Sequence, residues 1–129
     1  MKLSQNNKKL VSFILVIFFS LTLILAGVDK FFNLFTNWVL YLNPKLLPFP
    51  IPPSLFMKLV GIFEVLLGLS LFSRRRKTVS YMVAIWFVFI SINLLSLSQN
   101  SAAPADTIRS MFTDILRAIG AFLLAKLSE

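Results

Sequence analysis

Neither cysteine nor histidine occurs among the 129 residues. The first absence excludes disulfides, thiolate redox centres and Cys-ligated metals, and the second removes the commonest metal ligand and general base. Most hydrolase chemistries go with them, and no metal site is expected. Four glycines are too few and too scattered for a phosphate-cradling loop, so a nucleotide site is not expected either. Acidic residues number five against thirteen Lys and Arg, for a net charge of +8. That balance can signal nucleic acid, but the basic residues form no soluble face, and no nucleic-acid partner is expected. What the chain has in abundance is apolar: 57% of its residues are hydrophobic, more than soluble domains carry. The expectation is an all-α integral membrane protein made of one domain over residues 1–129.

A membrane-crossing helix needs roughly 20 apolar residues, because hydrocarbon offers the backbone no hydrogen-bond partner. Leu10 to Val28 and Val79 to Leu97 meet that requirement almost without polar interruption. Leu55 to Phe72 carries Lys58 and Glu64, and Met111 to Leu127 carries Asp114, Arg117 and Lys126, so both are less apolar. With all four as spans the chain becomes a compact four-helix bundle with short connections. Lys2, Lys8 and Lys9 precede the first helix, Arg74, Arg75, Arg76 and Lys77 separate the second and third, and Lys126 closes the fourth. The positive-inside rule then puts both termini in the cytoplasm, with the Arg-Arg-Arg-Lys run as a topology signal rather than an anionic-lipid or nucleic-acid patch. Leu25-Ala26-Gly27-Val28 lacks small residues at both key cleavage positions, so the first helix reads as retained rather than as a signal peptide.

The outer loop, residues 29–54, holds five of the six prolines, at positions 44, 48, 50, 52 and 53. No regular helix can run through its second half. In its first half Phe31, Leu34, Phe35, Trp38 and Leu42 recur at helical spacing, which predicts a short interfacial helix with its aromatic face at headgroup level. Such a loop could be an anchoring lid, or a vestibule through which a lipid or quinone enters.

Charges within hydrocarbon are costly and should face the interior. Glu64 lies roughly 13 Å below the outer boundary, near the midplane, with Gly61 and Gly68 on the same stripe to allow close helix approach. Asp114 and Arg117, three apart on the fourth helix, can pair, and Arg117 is close enough in depth to Glu64 for an interhelical ion pair. Ala118, Ala121 and Ala125 continue that face. Asn93 lies in the outer half of the third helix, with Trp86 and Met82 below it, and Asp29 and Lys30 end the first helix at the outer surface. These six residues, Asp29, Lys30, Glu64, Asn93, Asp114 and Arg117, make a candidate polar pocket. It is either a structural ion-pair network or a site where Glu64 accepts a proton or binds a ligand. The inner half offers little beyond Ser12, Ser20, Thr22 and Ser70, which argues against a transport path through one chain, although an oligomer could form a carrier or pore.

Four stretches in order, LAGVDKFFNLFTNW at Leu25 to Trp38, GIFEVLLGL at Gly61 to Leu69, INLLSL at Ile92 to Leu97 and TDILRAIGAFLLAKL at Thr113 to Leu127, resemble the DoxX-like family of small four-helix membrane proteins. The resemblance covers nearly the whole chain. It implies a subunit or neighbour of a membrane redox system, as in the small integral part of a thiosulfate:quinone oxidoreductase. It further implies a soluble or membrane redox protein as partner, a possible quinone but no built-in cofactor, and a bacterial inner membrane. Asp29, Lys30, Glu64, Asn93 and Asp114 fall where the family pattern is polar. The chain departs from that pattern at Thr113, where family members commonly have arginine before the acid of helix four, and at Arg117, a turn inward. Thiol exchange, which related membrane proteins perform with cysteines, is excluded. Two readings remain: an accessory subunit of a quinone-linked oxidoreductase, or a non-catalytic scaffold or assembly factor.

Overall fold

A computed structural model describes residues 2–100 and 103–128 and contains four α-helices and no strand among them. They are α1 (Gln5–Phe32), α2 (Pro53–Ser70), α3 (Arg76–Ser98) and α4 (Thr107–Leu127). The Ser4 hydroxyl caps α1 by accepting from the Asn7 amide at 3.2 Å. Pro53 opens α2 at the one position where its missing N–H costs nothing. Three successive amides, of Leu71, Phe72 and Ser73, then bond back to carbonyls three residues earlier and tighten the turn into α3.

Helices α1, α2 and α3 are long and apolar enough to cross a membrane. Helix α4 has the length, with 21 residues, but Arg109, Asp114, Arg117 and Lys126 leave it less apolar. Large apolar side chains stand exposed along the outward faces of all four, among them Phe13, Leu25, Leu66, Phe89 and Leu116. Exposed apolar surface of that extent marks contact with a membrane or another protein.

Helices α1 and α2 run antiparallel at very close range. A Cβ placed on Gly61 would lie 2.5 Å from the Gly27 carbonyl oxygen, and one on Gly27 would lie 2.6 Å from that of Gly61. Seven residues on in α2 and seven back in α1 the register repeats: Gly68 faces Ser20, whose hydroxyl donates to the Gly68 carbonyl at 2.9 Å. Small residues thus permit backbone contact, as the stripe containing Gly61 and Gly68 predicts. Helix α4 contacts both α3 and α1. Ala118, Ala121 and Ala125 are buried on it, and Gly120 meets the ring of Phe19. Val16, Phe19 and Leu23 of α1, Leu67 of α2, Val83 and Phe87 of α3, and Leu124 of α4 form the apolar core.

The amphipathic helix expected over the first half of the outer loop does not form. Helix α1 instead continues to Phe32 and stops at Asn33, whose backbone is left-handed at φ 50°. The Asp29 carboxylate then accepts from the amides of Leu34, at 2.8 Å, Phe35 and Thr36, and these bonds hold a bent exit that a helix would have erased. What remains helical in the loop is a 3-10 turn at Trp38–Tyr41 and another at Pro44–Leu46. Helical spacing of the aromatics was real, but a local carboxylate outcompeted it.

Candidate functional site

Above the apolar core, at the end of the helices that carries the long loop, the antiparallel glycine contact sets up an ion pair. Lys30 follows Gly27 by three residues and Glu64 follows Gly61 by three, so both charges lie just beyond the contact on facing helices. Helical side chains lean toward their own N-terminus. Because the helices are antiparallel, Lys30 leans down and Glu64 leans up, and they meet. The Lys30 ammonium is 2.6 Å from Glu64 Oε2 and 3.5 Å from the Ala26 carbonyl one turn back. Both side chains are only 4% exposed.

Both tryptophans of the chain close over this pair. The Trp86 indole N–H of α3 donates to the other carboxylate oxygen, Glu64 Oε1, at 3.1 Å. The Trp38 ring lies beneath the Lys30 ammonium, 3.6 Å from nitrogen to ring centroid, a cation–π contact strengthened by exclusion of water. The Trp38 N–H in turn donates to Asp29 Oδ2 at 2.8 Å. Asp29 therefore serves the loop and positions Trp38, while its neighbour Lys30 serves the interior.

Asp114 and Arg117 of α4 pair as expected, Nη1 to Oδ1 at 2.8 Å. The guanidinium also stands over the Phe87 ring at 5.9 Å. The expected ion pair between Glu64 and Arg117 does not occur, because the antiparallel contact of the first two helices delivers Lys30 to Glu64 first. Asp114 is buried and lies within electrostatic reach of both Lys30 and Glu64. Asn93 does not join this cluster. Its amide donates to the Tyr41 carbonyl at 2.6 Å, and its oxygen accepts from the Asn43 amide at 2.9 Å, so it pins the loop onto α3. Asn43 adds a bond to Ser96 Oγ at 2.7 Å. Met82, on the same sequence stripe as Asn93, is exposed and takes no part.

The sequence reading missed the roles of Trp38, Trp86, Tyr41, Asn43 and Asp106. Tyr41 donates its hydroxyl to both carboxylate oxygens of Asp106, at 2.8 and 3.0 Å, and this bond, helped by partial burial and the negative charge, holds the phenol above its ordinary pKa. One pattern in the sequence could have found the main pair: Gly-x-x-Lys at the end of one apolar run and Gly-x-x-Glu in the next.

The chemistry open to this cluster follows from its hydrogen-bond inventory. Among the described residues no buried side-chain nitrogen or oxygen lacks a partner. Lys30 donates to Glu64 and the Ala26 carbonyl, Trp86 to Glu64 and Trp38 to Asp29, so no orphaned donor among them points to a quinone carbonyl. Two large cavities lie elsewhere. One, of about 720 Å³, is an apolar groove between α3 and α4, and the other, of about 830 Å³, is at the far end of the helices. Neither is lined by Lys30 or Glu64. Nor do the described residues contain a group of three or more carboxylates or other ligating side chains able to hold a metal ion. No family model, curated protein or solved structure matches the chain.

Proposed function

We propose that the chain is an integral membrane subunit that carries out no chemistry itself and acts as an accessory part of a larger membrane assembly. One observation carries this reading: a buried charge cluster drawn from three helices and the loop, with every polar group internally satisfied. Such a network fixes which helix faces which, at some expense in stability compared with an apolar core. The apolar exterior supports membrane insertion of the four helices as a bundle, and the segregation of basic residues supports cytoplasmic termini in a bacterial inner membrane. Resemblance to the DoxX-like family points to a quinone-linked oxidoreductase as the assembly, with the redox centre in a separate protein.

A second reading keeps a ligand role for the pocket. The Lys30 ammonium is a donor held between an acid and an aromatic face, and opening of the loop above it would free it for a quinone oxygen. Glu64→Gln distinguishes the two. For a purely structural cluster, thermal stability and membrane abundance fall and the purified protein retains no less quinone per chain than the wild type. For a ligand site, quinone per chain drops in protein that remains folded, and Asp114→Asn repeats the drop. Purification from native membranes in mild detergent, followed by mass spectrometry, tests the accessory role itself: a stoichiometric redox partner supports it, and recovery of the chain alone argues against it.

A further inference from the structure

The far end of the helices holds a second feature that the proposed function does not use. There the start of α1, the turn from α2 to α3 and the end of α4 surround a cavity of about 830 Å³. Lys8 and Lys9 line it from α1, Arg74 and Arg76 from the turn and the start of α3. Four positive charges from separate segments repel one another, and none of the four acids among the described residues lies in its lining. Arg76 is fixed in place, its Nε donating to the Leu71 carbonyl at 3.1 Å, so one guanidinium is held at the wall rather than swinging free. Ser12 and Ser73 add hydroxyls, and Phe13 and Phe72 form an apolar rim. Both rings are well exposed and continue into the apolar exterior of the helices.

From this arrangement we propose that the cavity binds the phosphate headgroup of an anionic phospholipid. Phosphate oxygens sit among Lys8, Lys9, Arg74 and Arg76, and the acyl chains leave over Phe13 and Phe72 along the helix surface. The charge complements a phosphodiester, and the exposed rings of Phe13 and Phe72 beside the cations suit acyl chains better than a soluble anion. In the proposed orientation this end faces the cytoplasmic leaflet, where basic pockets between helices recognise anionic headgroups.

The site rests on the membrane reading, so the test separates the two. The full chain is reconstituted in phosphatidylcholine vesicles and in vesicles doped with phosphatidylglycerol or cardiolipin, then released in mild detergent and weighed intact by native mass spectrometry. Failure to float with vesicles of any composition overturns the membrane reading and the site with it. Insertion with retained cardiolipin or phosphatidylglycerol in preference to phosphatidylcholine supports the site. The double variant Lys9→Gln/Arg74→Gln should lose at least tenfold in retained anionic lipid, whereas Lys45→Gln/Lys58→Gln, which removes the same charge from exposed positions at the other end, should lose less than twofold. Equal losses in the two double variants overturn the site in favour of diffuse surface attraction. Displacement of lipid by inorganic pyrophosphate at comparable concentration overturns the lipid as occupant and identifies a soluble phosphate site.

Discussion

The two ends of this helical protein handle charge in opposite ways. At the loop end Lys30, Lys45, Lys58, Arg109 and Arg117 are accompanied by four of the five acids, and the buried ones are paired or bonded within the protein. At the other end Lys2, Lys8, Lys9, Arg74, Arg75 and Arg76 have none of those four acids near them in sequence, and the fifth, Glu129, lies outside the described residues. Paired charge has been taken out of solvent and made part of the architecture. On the lipid-site proposal, the charge of Lys8, Lys9, Arg74 and Arg76 at the other rim serves something that arrives from outside.

That contrast predicts a hierarchy of effects. The largest belongs to Glu64→Ala, which strands the Lys30 ammonium in the interior and should cost about 3–5 kcal/mol in thermal or denaturant unfolding of the detergent-solubilised chain. Replacing both partners, Lys30→Met with Glu64→Met, should recover most of it. A single variant as stable as wild type would break the comparison. Next comes Gly61→Ala, whose added methyl meets the Gly27 carbonyl and must separate α1 from α2, at about 1–3 kcal/mol; Gly120→Ala, which meets only the tip of the Phe19 ring, should cost less.

Asp29→Ala removes the acceptor for three loop amides and the Trp38 indole. The expected result is a loop that is cut faster by protease and a red shift in Trp38 fluorescence, with α1 to α4 still formed. Unchanged cleavage would mean that Asn93 and Asn43 alone hold the loop. Alkaline pH probes the same region more gently. Because the Tyr41 pKa is raised in the folded state, its contribution is fully present below the ordinary value of 10.0 and is lost as pH rises beyond it, through the folded pKa. Tyr41→Phe should flatten that part of the alkaline stability profile. The smallest effect is expected at the other end, where Lys9→Gln or Arg74→Gln should shift stability by no more than about 0.5 kcal/mol in either direction. A larger loss there would mean that the rim charges are structural after all.

Much of the fold could be read from composition and spacing. The four apolar runs became four helices whose ends lie within about five residues of the expected bounds, and the prolines kept the loop free of α-helix between Asn33 and Pro52. The close approach at Gly61 and Gly68 and the burial of the helix-four alanines were likewise visible as stripes of small residues. The site was less legible. All six expected residues exist as polar positions, but Asn93 binds the loop and not Glu64, and Arg117 stays with Asp114. Depth alone had placed Glu64 opposite Arg117. Depth ignores reach: a lysine whose backbone sits higher can lean a full turn downward, and only the antiparallel register of Gly27 against Gly61 decides that it does. Nor does helical periodicity weigh a carboxylate at the end of a helix against the amides just beyond it, which is how Asp29 converted an expected helix into a bent, non-helical exit.

The Lys30–Glu64 contact also has a bearing on biosynthesis. It joins consecutive helices, so both partners are present once the second has been made, well before α3 and α4 exist. A two-helix hairpin can therefore neutralise its deepest charges by itself, and neither would need to wait, bare, for a later segment to shield it. The loop fastenings are different: Asn43 to Asn93 spans 50 residues and Tyr41 to Asp106 spans 65. They can close only after the second half of the chain has arrived. The order of synthesis thus sets the order of assembly, first the charge pair and last the clasp across the top.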